Sequence, residues 1–386
     1  MLKLTQEEKE RINFHSYKKI NGLNSYLGTF PLELPTYFIS KYSNENDLVM
    51  DNFSGRGSSL VAARMLKRNF IGNDLNPYAY VCSKFKTIKN MKKEDILNQI
   101  DNLKNEFLIW KENNLIDPDD LIFNDIKIFF HWDTLVELFF IREKIGKNWL
   151  TNNDLDNTIL CFLLSILHGN ERKDGNSSYL SISMPNTISM SPNYVKNYIK
   201  NNNLNLKYRN VFELLKRRID LNWNEVLETS ENYLKIFFAN STEELSFVDD
   251  QSVQIVFTSP PYLKVVNYTN SNWLRLWVLG FEREKLKNEI KLDDKHNFDS
   301  YCNFILSYLK NIYPKIKING YVFLVIGDVN DFDLANETWN TIKDEVKFEL
   351  INIFEQNIDS NKKILKILKS KSNATKKDKI IMLRKY

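Results

Sequence analysis

Two short segments of the 386-residue chain concentrate the residue types from which a reaction can be built. One is Thr258-Ser259-Pro260-Pro261-Tyr262, which holds the only Pro-Pro doublet among nine prolines. Two consecutive prolines fix two φ angles and remove two backbone donors. The local carbonyls thereby become fixed acceptors, with the Ser259 hydroxyl at one end and the Tyr262 phenol at the other. Such a loop suits an amino group. An exocyclic amine on a nucleobase is a poor nucleophile because its lone pair is delocalised into the ring. Hydrogen bonds from that NH2 to the Ser259 hydroxyl and the Pro260 carbonyl would draw the nitrogen toward sp3 geometry and aim its lone pair, with catalysis coming mainly from positioning and electrostatics. Tyr262 offers a flat face on which an extruded base can stack.

The other segment, Phe53-Ser54-Gly55-Arg56-Gly57, takes two of the eleven glycines. It follows the apolar run 47–51 and precedes a helically periodic stretch, 58–66, so it reads as strand, tight turn, helix. A turn of this kind presents free backbone N–H groups and a positive dipole end to a ligand. Asp74 closes the next apolar run, 69–74, at 17 residues beyond Gly57. That is near the ~20-residue offset at which an acid meets the hydroxyls of a ribose, and the pair points to an adenosine-bearing cofactor. The third glycine of a dinucleotide turn is missing, since Ser58, Ser59 and Leu60 follow, which argues against nicotinamide or flavin. No G-x-x-x-x-G-K-[ST] run exists for a P-loop. His15, His131, His168 and His296 show no ligand spacing, so neither a metal nor a general base is assigned.

These segments need elements to hold them. Residues 32–42 predict a helix, 236–239, 253–257 and 320–326 predict further strands, and 348–354 with 379–384 predict a terminal hairpin around a lysine-rich connection. Residues 90–222 change to long Lys/Asn/Leu-rich helical patterns, broken by a Ser-, Asn-, Met- and Pro-rich stretch, 176–194, that does not read as a core element. The expected organisation is therefore an α/β sheet split by a mainly helical insertion: residues 1–89 for the cofactor, 90–234 for the insertion, expected to recognise the target with base-reading side chains in 176–194 and phosphate contacts in 196–218, and 235–386 for the Ser-Pro-Pro-Tyr loop. Tyr268, Trp273, Arg275 and Trp277 fit either a base channel or helical core. The net charge of +4 is local in origin: residues 361–386 hold ten Lys/Arg against one Asp, and 168–222 hold nine against four acids. Either patch suits a phosphate backbone or a solvated surface. No run reaches the ~18 apolar residues of a membrane span. The first eleven residues lack an apolar leader, and the three cysteines are odd in number and far apart, which predicts a reducing, cytoplasmic location without a disulfide framework.

The Phe-Ser-Gly-Arg-Gly turn resembles the cofactor loop of S-adenosylmethionine-dependent methyltransferases, and Thr-Ser-Pro-Pro-Tyr resembles the loop of cytosine-N4-specific members of the DNA amino-methyltransferases. The resemblance covers roughly residues 25–86 and 235–386. It implies a seven-stranded Rossmann-like sheet with a C-terminal antiparallel hairpin, S-adenosylmethionine as cofactor, and Ser259, Pro260, Pro261 and Tyr262 as catalytic residues. It places Asp51, Phe53, Ser54, Gly55 and Gly57 around the methionine and adenosine, and Asp74 with Leu75 at the ribose. The segment Leu27-Gly28-Thr29-Phe30-Pro31 is similar to the stretch that folds over the cofactor, which adds Thr29 and Phe30. Asn240 stands where the family usually has an acid toward adenine. The order of the two loops is closest to the family's alpha type, with the insertion before the third strand rather than after it. Double-stranded DNA is the implied partner, with a separately acting restriction endonuclease and no membrane. Adenine-N6 transfer remains the nearest alternative; RNA or protein-amide methylation and a non-catalytic DNA-binding relative stand further off. Covalent cytosine chemistry is disfavoured, because Cys82, Cys161 and Cys302 follow Val81, Leu160 and Tyr301 rather than a proline.

Overall fold

The computed structural model describes residues 4–172, 177–227, 231–261, 263, 267–292, 296–328, 332–357 and 377–386. Tyr262, Asn176 and the lysine-rich residues 361–376 lie outside the described residues. The strands are β1 (Leu48–Asp51), β2 (Asn69–Asp74), β3 (Leu234–Phe238), β4 (Val253–Thr258), β5 (Ile316–Gly327), β6 (Glu349–Asn357) and β7 (Lys377–Arg384). Before β1 come α1 (Gln6–Arg11), α2 (Phe14–Asn21) and α3 (Glu33–Tyr42), and between β1 and β2 lies α4 (Ser58–Met65). Between β2 and β3 come α5 (Pro77–Thr87), α6 (Lys93–Asn113), α7 (Trp132–Ile141), α8 (Asp154–Ile166), α9 (Pro192–Asn202) and α10 (Val211–Asn222). Four more helices separate β4 from β5: α11 (Tyr268–Ser271), α12 (Trp273–Val278), α13 (Leu286–Glu289) and α14 (Phe298–Ile312). The last, α15 (Leu334–Ile342), precedes β6.

The seven strands form one sheet in the order β3-β2-β1-β4-β5-β7-β6. All neighbours pair in parallel except β7, which runs antiparallel to both β5 and β6. This is the seven-stranded Rossmann-like sheet with a terminal antiparallel hairpin. The strands are apolar on both faces, as a sheet covered twice requires. Val49, Ile255 and Phe323 join α3 and α4 in one core, while Met50, Val256 and Val322 face α14 and α15 in another. A third core lies among the helices that follow β2. Strand β5 begins at Ile316, four residues earlier than expected, and its register against β4 shifts between Val253 and Ile255.

The stretch 177–191 corrects an expectation. Leu180, Ser181, Ile182, Met184 and Ser189 are buried, and the Leu180, Ser181 and Ile182 amides donate to the Ile166, Leu167 and Phe129 carbonyls. Irregular backbone can be buried here because neighbouring carbonyls and side chains satisfy its polar groups. Among the described residues no helix is long and apolar enough to cross a membrane.

Candidate active site

Strand order reverses between β1 and β4: the chain leaves β1 toward β2 on one side, and β4 continues toward β5 on the other. At such a switch point the loops beyond the carboxyl ends diverge and leave a crevice. The glycine turn after β1 and the Ser-Pro-Pro loop after β4 both start there. Gly57, at φ +83°, holds a left-handed conformation at the start of α4, and a Cβ on it would stand 3.0 Å from the Ser83 hydroxyl. Its amide donates to the Ser54 carbonyl at 2.7 Å, which closes the turn.

A belt of buried polar side chains fixes the strand ends. Asn52 Nδ2 donates to Asn73 Oδ1 at 2.8 Å, Asn73 Nδ2 donates to the Ala239 carbonyl at 2.9 Å, and the Tyr308 hydroxyl donates to Asn52 Oδ1 at 2.9 Å. Thr258 at the end of β4 donates to Asp51 at the end of β1, at 2.5 Å. Burial pushes the Asp51 carboxyl up to about 6, against hydrogen bonds from Thr258 and the Phe53 amide.

The crevice is an open-mouthed cavity that, with the solvent at its mouth, takes in about 820 Å³. Asn52, Phe53, Ser54, Gly55 and Ser58 form its floor. Asp74, Leu75, Asn76, Asn240 and Ser241 line it as well, together with Tyr26, Gly28, Thr29 and Phe30. Ser259, Pro261, Tyr268, Leu292 and Phe304 also line it.

Asp74 Oδ2 accepts from the Gly55 amide at 2.7 Å and Oδ1 from the Asn76 amide at 2.8 Å. Burial raises this carboxyl to about 6, and the Asn76, Gly55 and Leu75 amides oppose the rise. A carboxylate has about four acceptor positions, so room remains for a hydroxyl donor from the cavity. An acid with a spare acceptor position, in one cavity with Phe30, Phe53 and Leu75, fits an adenosine and its ribose. Tyr26 is stacked between Tyr78, at 5.7 Å and 27°, and Tyr268, at 5.8 Å and 25°. Its hydroxyl accepts from Asn76 Nδ2 at 3.0 Å. Gly28, at φ +71°, lets the Tyr268 hydroxyl come so close that a Cβ would lie 2.6 Å from it.

Of the residues singled out in the sequence, Thr29, Phe30, Phe53, Ser54, Gly55, Asp74, Leu75, Asn240, Ser259 and Pro261 meet in this one cavity. Asp51, Gly57 and Pro260 are buried and are not among the residues that line it. Asp51 is turned to Thr258, and Gly57 is packed on Ser83. The Asn240 amide is engaged locally: its oxygen accepts from the Thr242 amide at 3.1 Å and its nitrogen donates to Glu243 at 2.9 Å. Trp273, Arg275 and Trp277 belong to the helical core. Arg275 lies 4.8 Å over the Tyr78 ring and donates to the Asn186 carbonyl and, at 3.2 Å, to Asn272 Oδ1. Tyr26, Asn52, Ser58, Asn76, Ser241, Leu292 and Phe304 carry no sequence signal for the site beyond the Asn-Pro start of α5 at Asn76. Among the described residues no cluster of His, Cys, Asp and Glu could hold a metal, and all three cysteines are free and buried.

Residues 3–85 match the family described as DNA methylase, the stretch that supplies the cover, the glycine turn and Asp74. The chain is 33% identical over 98 residues to the type II methyltransferase M.MjaII of Methanocaldococcus jannaschii, covering 24% of this chain and 18% of that protein. It is 38% identical over 72 residues to M1.MboII of Moraxella bovis, covering 19% and 26%, and 29% identical over 84 residues to M.PvuII of Proteus hauseri, covering 22% and 25%. The alignments thus span about a quarter or less of these relatives. Among solved structures, TrmN from Thermus thermophilus aligns over 96% of this chain and 52% of its own, with 10% identity and a TM-score of 0.36. The resemblance to the N4/N6 amino-methyltransferases is borne out by the family match and these relatives, and the family match supports S-adenosylmethionine as the cofactor.

Proposed function

We propose that this chain, similar to DNA methylases over residues 3–85, transfers a methyl group to the exocyclic N4 amine of a cytosine flipped out of duplex DNA. One observation supports this above the rest: Ser259 and Pro261 of the acceptor loop stand on the wall of the same cavity as Gly55 and Asp74 of the cofactor loop. When bound, S-adenosylmethionine supplies an electrophilic methyl on a sulfonium. The chain's own residues do the rest. Asp74 takes the ribose hydroxyls, the glycine turn lets backbone approach the ligand, and Tyr26 with Thr29 and Phe30 shuts water out from above. The Ser259 hydroxyl and Pro260 carbonyl accept from the target NH2 and keep its lone pair out of the ring, while Tyr262 stacks on the base. Asn240 completes the adenine side. The proton lost after transfer passes to solvent, since no base of this chain is assigned to it.

In this reading residues 1–89 and 235–386 form the catalytic unit, and 90–234 meet the DNA. The protein acts in the cytoplasm, alongside an endonuclease that works separately. Adenine-N6 transfer uses the same loop physics and is the reading against which this one is tested. DNA incubated with the protein and cofactor, digested and analysed by mass spectrometry, should contain N4-methylcytosine; N6-methyladenine in its place would reassign the target base.

A further inference from the structure

We propose that α9 is a reading helix that enters the major groove of the substrate duplex. This rests on the DNA methyltransferase reading and deepens it by naming the surface that meets DNA. The helix has one inward stripe, where Val195 is 2% exposed and Ile199 packs against the helical core. At about 100° per residue, Asn193, Asn197 and Asn201 fall on the opposite crest, and all three are exposed. Tyr194 and Tyr198 lie on one flank of that crest, stacked at 6.4 Å and 5°, and exposed Lys196 and Lys200 lie on the other. Among the described residues, none of the three asparagine side chains has a hydrogen-bond partner, and neither lysine pairs with a carboxylate.

The types and spacing fit a groove. An asparagine amide offers a donor beside an acceptor and pairs bidentately with the N6 and N7 of adenine. One helical turn separates successive asparagines, roughly 6 Å along the axis, or about two base steps at 3.4 Å each. The flanking lysines reach phosphates, and the tyrosine hydroxyls can do so on the other side. Residues 190–210 contain Lys196, Lys200, Lys207 and Arg209 and no acid. Arg209 is held by Glu171, so the three lysines set the local field. An acid-free face of amides and cations, without an apolar crest, complements a polyanion rather than a protein core.

The position also fits. The Ser189 amide donates to the Ser271 carbonyl at 2.8 Å, and Trp273 Nε1 donates to the Met190 carbonyl at 2.9 Å. The chain entering α9 is thereby pinned to α11 and α12, and α11 begins with Tyr268 on the cavity wall. A duplex seated on the asparagine crest would deliver a flipped base to a neighbouring opening.

The test uses the full chain. Its target site is mapped by sequencing modified bases in DNA from cells that express it. Asn193→Ala, Asn197→Ala, Asn201→Ala and the pair Lys196→Ala/Lys200→Ala are then compared with wild type by duplex binding, with S-adenosylhomocysteine present, and by KM for DNA. Melting temperatures establish that each variant is folded, and Lys310→Ala on α14 serves as a remote charge control. Each asparagine variant should lose about 5- to 100-fold of its preference for the mapped base pair at one position. The lysine pair should weaken all sequences alike and lower the slope of log K against log salt by about 2. Unchanged discrimination and salt slope, in a wild type that methylates DNA, would overturn the inference and leave the function standing. An effect of the lysines alone would reduce α9 to a phosphate contact and overturn its reading role. A wild type that neither binds nor methylates duplex DNA would overturn both.

Discussion

Replacing Asp74 with asparagine keeps the volume at the end of β2 and removes one charge from the cavity. The carboxylate already serves the Gly55 and Asn76 amides at 2.7 and 2.8 Å, and a bound ribose adds hydroxyl donors to the ionised oxygens. A hydrogen bond to a charged group contributes about 1.5–3 kcal/mol, so the variant should bind cofactor roughly 10- to 100-fold more weakly at pH 7.5. The wild type also carries a pH signature. Burial holds this carboxyl at about 6, so it is ionised at pH 7.5 and takes up a proton as the pH falls through about 6. Wild-type affinity should therefore decline toward that of the variant by pH 5, while the affinity ratio of the two proteins shrinks. Titration calorimetry with S-adenosylhomocysteine at pH 7.5, 6 and 5 measures both trends. A variant within twofold of wild type at pH 7.5, or a ratio that does not change with pH, would refute the placement of the ribose on Asp74.

Ser259→Ala should retain cofactor affinity within about twofold and lose methyl transfer by roughly 100-fold or more, measured with labelled donor; unchanged turnover would remove the hydroxyl from the reaction. Gly28→Ala forces a methyl group toward the Tyr268 hydroxyl and a side chain into φ +71°. It should cost about 1–2 kcal/mol of stability and raise the cofactor Kd, as read by denaturant titration and calorimetry. The Asp51 carboxyl sits at about 6 in the fold against an ordinary 3.8. Its contribution to stability is thus complete below about 3.8 and disappears as the pH rises through about 6. Between pH 7.5 and 4.5 the unfolding free energy of wild type relative to Asp51→Asn should move in wild type's favour by about 2 kcal/mol; a constant difference would contradict the burial argument.

The strand–turn–helix at residues 48–65 is legible in the sequence because glycine is scarce and two of the eleven fall at one turn between an apolar run and a 3.6-residue periodicity. Asp74 is legible for a related reason, as the polar end of a short apolar strand. The covering tyrosine is not. Tyr26 reaches the site by stacking between Tyr78 and Tyr268, residues 52 and 242 positions away along the chain, and no local period encodes such a contact. Leu292 and Phe304 line the cavity only because the chain between β4 and β5 folds back over it. The error at 177–191 has a different origin. Serine and asparagine commonly signal an exposed loop, but here backbone pairing with residues 166–169 and 129 lets Leu180, Ile182 and Met184 enter the helical core. Arg275 fits either a base channel or the helical core by sequence, and burial among carbonyls and the Tyr78 ring makes it a structural tie of the core.

Strand β7 lies between β5 and β6, so the sheet is complete only once residues 377–384 have been synthesised. A nascent chain that stalls before them leaves residues 321–327 of β5 without their antiparallel neighbour, and a bare apolar edge of that kind templates pairing between molecules. Ribosomal pausing or clipping in this region should therefore yield insoluble material rather than a weakly active fragment. The amount of working protein in a cell then tracks synthesis through residue 384, not initiation.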